Sequence, residues 1–391
     1  MFRPDRRAAL RFCVIPAAVL VHFCLGGVYA WSAFVPALRA EAGLTSGQTQ
    51  LVFGLTIATF TVAMVGAGRL LACWGPRRVA LAGGLLFACG QEVAAASGGS
   101  FLRIASGAGL LGGIGTGFGY VAALSAAMGW FPSRKGLVTG LVVAGFGTGA
   151  VALSAWVSAL LAAGQPVLAV FRTVGWVYGA AICGAAAAFC PPPELGQEAA
   201  EAGQGRLWRD PAFRTLAWGI FCGTFGGLLV IGNLKTISVD SGWRTETATL
   251  AISLFAVGNA AGRIVWGWFS DRWGYVTIPR SLLFLGLSLV LLLLARLVPA
   301  TLCVTTLLVG FGYGACFVVY AAQVASRYGA SGVARVYPLI FLAYGAAGLT
   351  GPPLAGWLYD VTHTTAWSVA AGAAVLAAGV WRTWRCGAFA H

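Results

Sequence analysis

The segment Gly267-Trp-Phe-Ser-Asp271-Arg272-Trp-Gly274 has a counterpart 199 residues earlier, Gly68-Arg-Leu-Leu-Ala-Cys-Trp-Gly75. Each is a short polar stop between two long apolar runs. A second pair, Gly-Phe-Gly-Tyr, occurs at 117–120 and again at 310–313, an offset of 193 residues. Both offsets are close to half of the 391-residue chain, and both pairs fall on equivalent runs. Two matches in one register indicate a duplicated unit rather than a chance likeness.

A helix that crosses ~30 Å of hydrocarbon needs about 20 apolar residues. Twelve such runs can be marked: 12–38, 50–72, 79–98, 104–128, 137–163, 166–190, 212–235, 248–269, 279–296, 299–323, 336–358 and 365–384. The chain is 59% hydrophobic and 9% charged, against roughly 25% charged in soluble proteins. The bilayer must therefore solvate most of the surface. The one long polar stretch, Pro191–Asp210, falls at the middle of the chain. The expected fold is an all-α integral membrane protein of twelve transmembrane helices in two pseudo-symmetric six-helix bundles, 1–190 and 211–391, joined by a linker at 191–210.

The formal net charge of +14 would suggest nucleic acid in a soluble protein, but here the loops explain it. With the N-terminus inside, 18 Lys and Arg fall on the cytoplasmic side and six on the other. That asymmetry predicts both termini in the cytoplasm and residence in the cytoplasmic (inner) membrane. The first run is too long for the apolar region of a cleavable signal. The ten cysteines are scattered, with no CxxC pair and no metal-ligand spacing, so no metal or cofactor is expected. No HExxH or GxSxG motif occurs, which speaks against an enzyme.

Polar residues inside the runs carry the functional reading. Arg263 lies within run eight, with no acidic residue of that run near it. An intramembrane Arg costs at least ~2.5–3.5 kcal/mol and faces a cavity or a partner. Its planar fork suits a carboxylate, although snorkelling to the membrane face is the plainer alternative. Asn259 is one turn earlier, on the same face, and its amide can donate to the same anion or hold a neighbouring helix. Tyr120 and Tyr313 close the repeated Gly-Phe-Gly-Tyr, at depths near that of Arg263. Phe317, one turn after Tyr313, extends an apolar wall. His22 and Glu92 are the titratable groups within spans and so the candidate proton sites, His22 preferred because it titrates near neutrality. Glycines spaced by four, Gly109, Gly113 and Gly117 with Gly145 and Gly149, predict close helix contacts, and Gly351-Pro352-Pro353 predicts a bend.

These motifs resemble the major facilitator superfamily of transporters. Gly267-x-x-x-Asp271-Arg272-x-Gly274 is similar to that family's gate loop, with glycines for close approach and turning and an acid for the opposing gate. The first copy keeps Gly68, Gly75, Arg77 and Arg78 but has Ala72 where the acid belongs. Gly27-Val-Tyr29-Ala-Trp-Ser32, Gly129-Trp-Phe-Pro-Ser-Arg-Lys-Gly136, the glycine-rich 139–150 and 343–353 resemble the oxalate/formate antiporter branch and its monocarboxylate-transporter relatives. The resemblance implies that Arg263 binds substrate, that Tyr29 and Asn233 face it, and that Tyr344 stands where the oxalate carrier has a second cation. One central cation then implies a monocarboxylate (lactate, pyruvate or formate type) carried by a monomer with a proton or a counter-anion. An oxalate/formate-type exchanger, or a solute sensor that does not transport, are the alternatives.

Overall fold

The computed structural model describes residues 6–130, 135–189, 207–240, 245–294 and 299–387. All twelve apolar runs are helical there, and the described residues contain no strand. The first run forms α1 (Arg6–Gly26), a 3-10 segment (Gly27–Ala33) and α2 (Val35–Ala42). Runs two and three form α3 (Ser46–Ala95). The fourth passes through α4 (Phe101–Ile104), a π-helical stretch (Ala105–Leu111) and α5 (Gly112–Trp130). Then come α6 (Lys135–Ala162), α7 (Val167–Ala186), α8 (Pro211–Asp240), α9 (Thr245–Trp273) and α10 (Thr277–Leu294). The chain ends with α11 (Pro299–Thr362), which carries runs ten and eleven, and α12 (Ala366–Gly387). Among the described residues nine stretches are long and apolar enough to cross a membrane, and one of them, Leu250–Leu294, takes in two runs. Residues 191–206 of the linker, and Phe131–Arg134 of the stretch after run four, lie outside the described residues.

Two junctions differ from the expected loops. α3 is broken at Gly75, where φ is 70° and ψ 167°, a conformation L-residues avoid. Gly274 ends α9 with φ 56°. The last glycine of each motif copy thus does the same work, so the duplication extends from sequence to backbone. α11 spans 64 residues; straight, it would measure about 96 Å at 1.5 Å per residue. Yet the rings of Phe317 and Tyr344 lie 5.6 Å apart. The chain therefore reverses between them, giving two spans with a helical connection. The helix continues through Pro352 and Pro353 to Thr362.

The chain divides into two compact units. The first comprises residues up to Val28 and Thr59–Ala200, with α1 packed on α5 and α6. A Cβ on Gly145 would stand 2.7 Å from Val19 O, closer than a carbon and oxygen approach, and Gly149 meets Phe23 in the same way. The four-residue glycine spacing in α6 is what lets α1 approach. The second unit comprises Tyr29–Ala58 and Glu201–His391. There the Asp360 carboxylate accepts from the backbone N–H groups of Ser46 (3.3 Å) and Gly47 (2.9 Å) at the start of α3. One turn on, Gln50 Nε2 donates to Gly232 O at 3.0 Å. These contacts bind the first turns of α3 to α11 and α8, which is why residues 29–58 group with the C-terminal half.

Candidate functional site

α9 and α11 pack against each other at close range. Glycines 258 and 262 of α9 face glycines 310 and 314 of α11, each lying against the other helix's backbone. That approach fixes Asn259 and Arg263 beside Tyr313 and Phe317. Arg263 is 8% exposed and Asn259 1%. Arg263 Nε donates to Asn259 Oδ1 at 3.1 Å. A guanidinium only donates, so the amide oxygen must face it. Asn259 therefore orients the arginine with its oxygen, and the group that would donate to an anion, as the sequence suggested, is its Nδ2 amide. The guanidinium carbon lies 4.7 Å from the centroid of Phe317, a cation–π contact worth about 2 kcal/mol when desolvated.

Phe317 in turn stands perpendicular to Tyr313 (5.1 Å, 87°) and to Tyr344 (5.6 Å, 89°). The hydroxyl of Tyr29, from the 3-10 segment, bonds to those of Tyr344 (2.8 Å) and Tyr313 (3.2 Å). Tyr313 and Tyr344 are fully buried and Tyr29 is 2% exposed. Tyr29 and Tyr344 both lie within electrostatic reach of Arg263. Further aromatic walls, absent from the sequence reading, come from Phe341, 4.9 Å from Tyr344, and Phe255, 5.7 Å from Tyr313. Tyr337 adds a hydroxyl that donates to Phe317 O at 3.2 Å. Tyr337 and Phe341 precede Tyr344 by seven and three residues, one helical stripe, so their signal was present. A buried cation, phenol hydroxyls and apolar rings in one cluster can orient a carboxylate and enclose a short apolar body.

The remaining candidates divide between the units. Asn233 is buried, but its Nδ2 donates to Leu229 O of its own helix at 3.0 Å. In the first unit the His22 ring lies 4.5 Å from Tyr120 and 6.3 Å from Phe146. His22 Nδ1 bonds to Ala18 O at 3.1 Å; a carbonyl only accepts, so Nδ1 carries the hydrogen. Phe60 packs on Tyr120 at 5.3 Å as Phe255 packs on Tyr313, so the duplication reaches the candidate residues themselves. Glu92 lies elsewhere: its carboxylate pairs with Arg172 at 3.0 Å and accepts from Trp176 Nε1 at 3.2 Å. Of the gate-motif residues, Gly75 and Gly274 turn the chain, and a Cβ on Gly267 would lie 3.0 Å from Val318. Among the described residues nothing lies within 4 Å of the Gly68 Cβ position. Arg77, Arg78, Asp271 and Arg272 are exposed, Arg272 lying 5.9 Å over the Trp268 ring.

The sequence profile of the Major Facilitator Superfamily matches residues 17–275 and, again, 216–386. The chain is 27% identical over 361 residues to the MFS-type transporter YhjX of Escherichia coli K12, covering 88% of this chain and 87% of that one. It is 25% identical over 359 residues to the oxalate:formate antiporter of Oxalobacter formigenes, covering 87% and 83%. It is 28% identical over 348 residues to monocarboxylate transporter 11 of Mus musculus, covering 84% and 76%.

Proposed function

The chain belongs to the major facilitator superfamily, and from that premise we propose that it carries a small monocarboxylate, of lactate, pyruvate or formate type, across the cytoplasmic membrane. The single observation behind this reading is Arg263. Among the described residues it is the one buried Lys or Arg, oriented by Asn259 and faced by Phe317. The guanidinium fork and the nearby Tyr29, Tyr313 and Tyr344 hydroxyls bind the carboxylate, and Phe317 and Phe341 enclose the rest. Two of the relatives are named for oxalate, formate and monocarboxylates, the same ligand chemistry.

The six-helix halves, 1–190 and 211–391, move as the two lobes of an alternating-access monomer with both termini in the cytoplasm. Transport is proton-coupled, with His22, against Tyr120, as the proton site. Glycine-mediated contacts such as those between α9 and α11 let helices slide.

Uptake into proteoliposomes of labelled mono- and dicarboxylates, with and without a pH gradient, tests this reading. Arg263→Gln should abolish uptake while thermal unfolding stays near that of the native chain. Full transport by Arg263→Gln sinks the assignment. A second reading, oxalate–formate exchange, is favoured by the antiporter relative; it predicts that oxalate outcompetes every monocarboxylate and that uptake needs a counter-anion.

A further inference from the structure

A groove of about 500 Å³ runs between α10 and α12. Its floor is made of small residues, Gly286, Ala373 and Ala377, and its wall of Leu283, Leu287 and Val290. Those three wall residues are 43–55% exposed, as suits side chains bathed in lipid. One end of the groove changes character, closing with Trp381, Trp384 and Arg385. Tyr275 donates to Thr383 O at 3.2 Å, so the beginning of α10 lies beside this same end of α12. Arg280 therefore belongs to this end as well, and it shares a helical stripe with Leu283, Leu287 and Val290.

The arginines here lie over tryptophans: Arg280 over Trp273 at 4.7 Å and Arg385 over Trp381 at 4.6 Å. Trp273, Trp381 and Trp384 are exposed. Exposed tryptophans at the end of an apolar span sit at headgroup level, which puts the two guanidinium groups at the depth of lipid phosphates. Among the described residues Arg385 is the one charged residue lining the groove.

We propose that this groove seats an anionic phospholipid, with an acyl chain along Gly286, Ala373 and Ala377 and the headgroup phosphate between Arg280 and Arg385. Net charge decides the lipid class: a zwitterionic phospholipid fits the trough but offers no net negative charge to the two cations.

Native mass spectrometry of the purified full chain in mixed micelles of phosphatidylglycerol and phosphatidylcholine tests this. The native chain should retain phosphatidylglycerol in preference. The double change Arg280→Gln and Arg385→Gln should lower phosphatidylglycerol retention by about fivefold per arginine removed and leave phosphatidylcholine retention unchanged. Ala377→Trp, at an exposed position of the floor, should lower retention of both lipids. Equal retention of the two lipids by the native chain overturns the proposal, as does a phosphatidylglycerol preference that survives the double change. If Ala377→Trp instead dissociates a dimer and leaves lipid retention intact, the groove belongs to a second copy of the chain and the proposal fails.

Discussion

Changing Gly314 to alanine perturbs the candidate site without altering any polar side chain in it. A Cβ at 314 would lie 3.0 Å from the backbone nitrogen of Arg263, and closer still to the carbonyl oxygen of Asn259. A carbon and a carbonyl oxygen settle at about 3.3–3.6 Å, so α9 and α11 must separate by roughly 1 Å. Backbone atoms cannot swing aside as a side chain can, and the strain should cost ~1–3 kcal/mol of stability. The same separation takes Arg263 and Phe317 from 4.7 Å towards the ~6 Å limit of a cation–π contact. Losing half of a charge-assisted hydrogen bond is worth about 1 kcal/mol, or roughly a fivefold rise in KM. The assay is concentration-dependent uptake into proteoliposomes, paired with thermal unfolding in detergent. Gly66→Ala is the control, because no described residue lies within 4 Å of its Cβ position; it should leave both measurements unchanged or slightly raise stability. Gly314→Ala with the native KM would refute the claim that helix spacing sets the site, even if its unfolding temperature fell.

Two further outcomes follow from the second unit. Asp360→Ala removes the acceptor for Ser46 and Gly47 at the start of α3, a capping loss of ~1 kcal/mol, so hydrogen exchange at those two amides should quicken by about fivefold; unchanged protection would mean the carboxylate does not hold this junction. At Asp210, burial raises the carboxyl, but the Tyr328 hydroxyl, the Ala212 N–H and Arg327 outweigh it, and the acid is held below its ordinary value of 3.8. A lowered folded value contributes stability that is complete above the unfolded value and is lost as pH falls through the folded one. Asp210→Asn keeps the cap but loses the ionised acceptor, and Arg327, at 3.8 Å and half-exposed, adds little. The variant should therefore unfold at a lower temperature near pH 6, by ~1 kcal/mol of stability, and the gap should close below pH 4; a gap constant with pH would exclude the ionised form as its source.

The helices were legible because membrane spans need little beyond length and apolarity, and all twelve runs became helix. Their ends were less so. Gly75 and Gly274 mark real breaks, since positive φ selects glycine. Between runs ten and eleven nothing in the sequence distinguishes a helical connection from a loop. Arg263 and Asn259 were paired correctly by their four-residue spacing, which fixes a common face. The direction of their hydrogen bond was not readable, because an amide offers a donor and an acceptor and only the neighbouring guanidinium chooses between them. The Tyr29–Tyr344 bond joins residues 315 apart, and no local pattern encodes such a distance. The Arg172–Glu92 pair was hidden for a related reason: its members lie 80 residues apart.

The composition of the cluster around Arg263 bears directly on cargo. One guanidinium balances one carboxylate, and the rings described around it, four phenols and three phenyl rings, carry no charge. A second carboxylate would be buried against hydroxyls alone. Hydrogen bonds from phenols lessen that burden without removing it, because a buried ion without a counter-charge costs several kcal/mol. A dianion such as oxalate would thus need either a second cation or protonation of one carboxyl. Tyr344→Lys tests this by placing the missing charge where the tyrosine hydroxyl meets Tyr29. The variant should gain oxalate uptake and lose uptake of pyruvate, whose complex would then carry an uncompensated positive charge. Unchanged preference in a folded Tyr344→Lys chain would mean that the charge balance at this cluster does not choose the substrate.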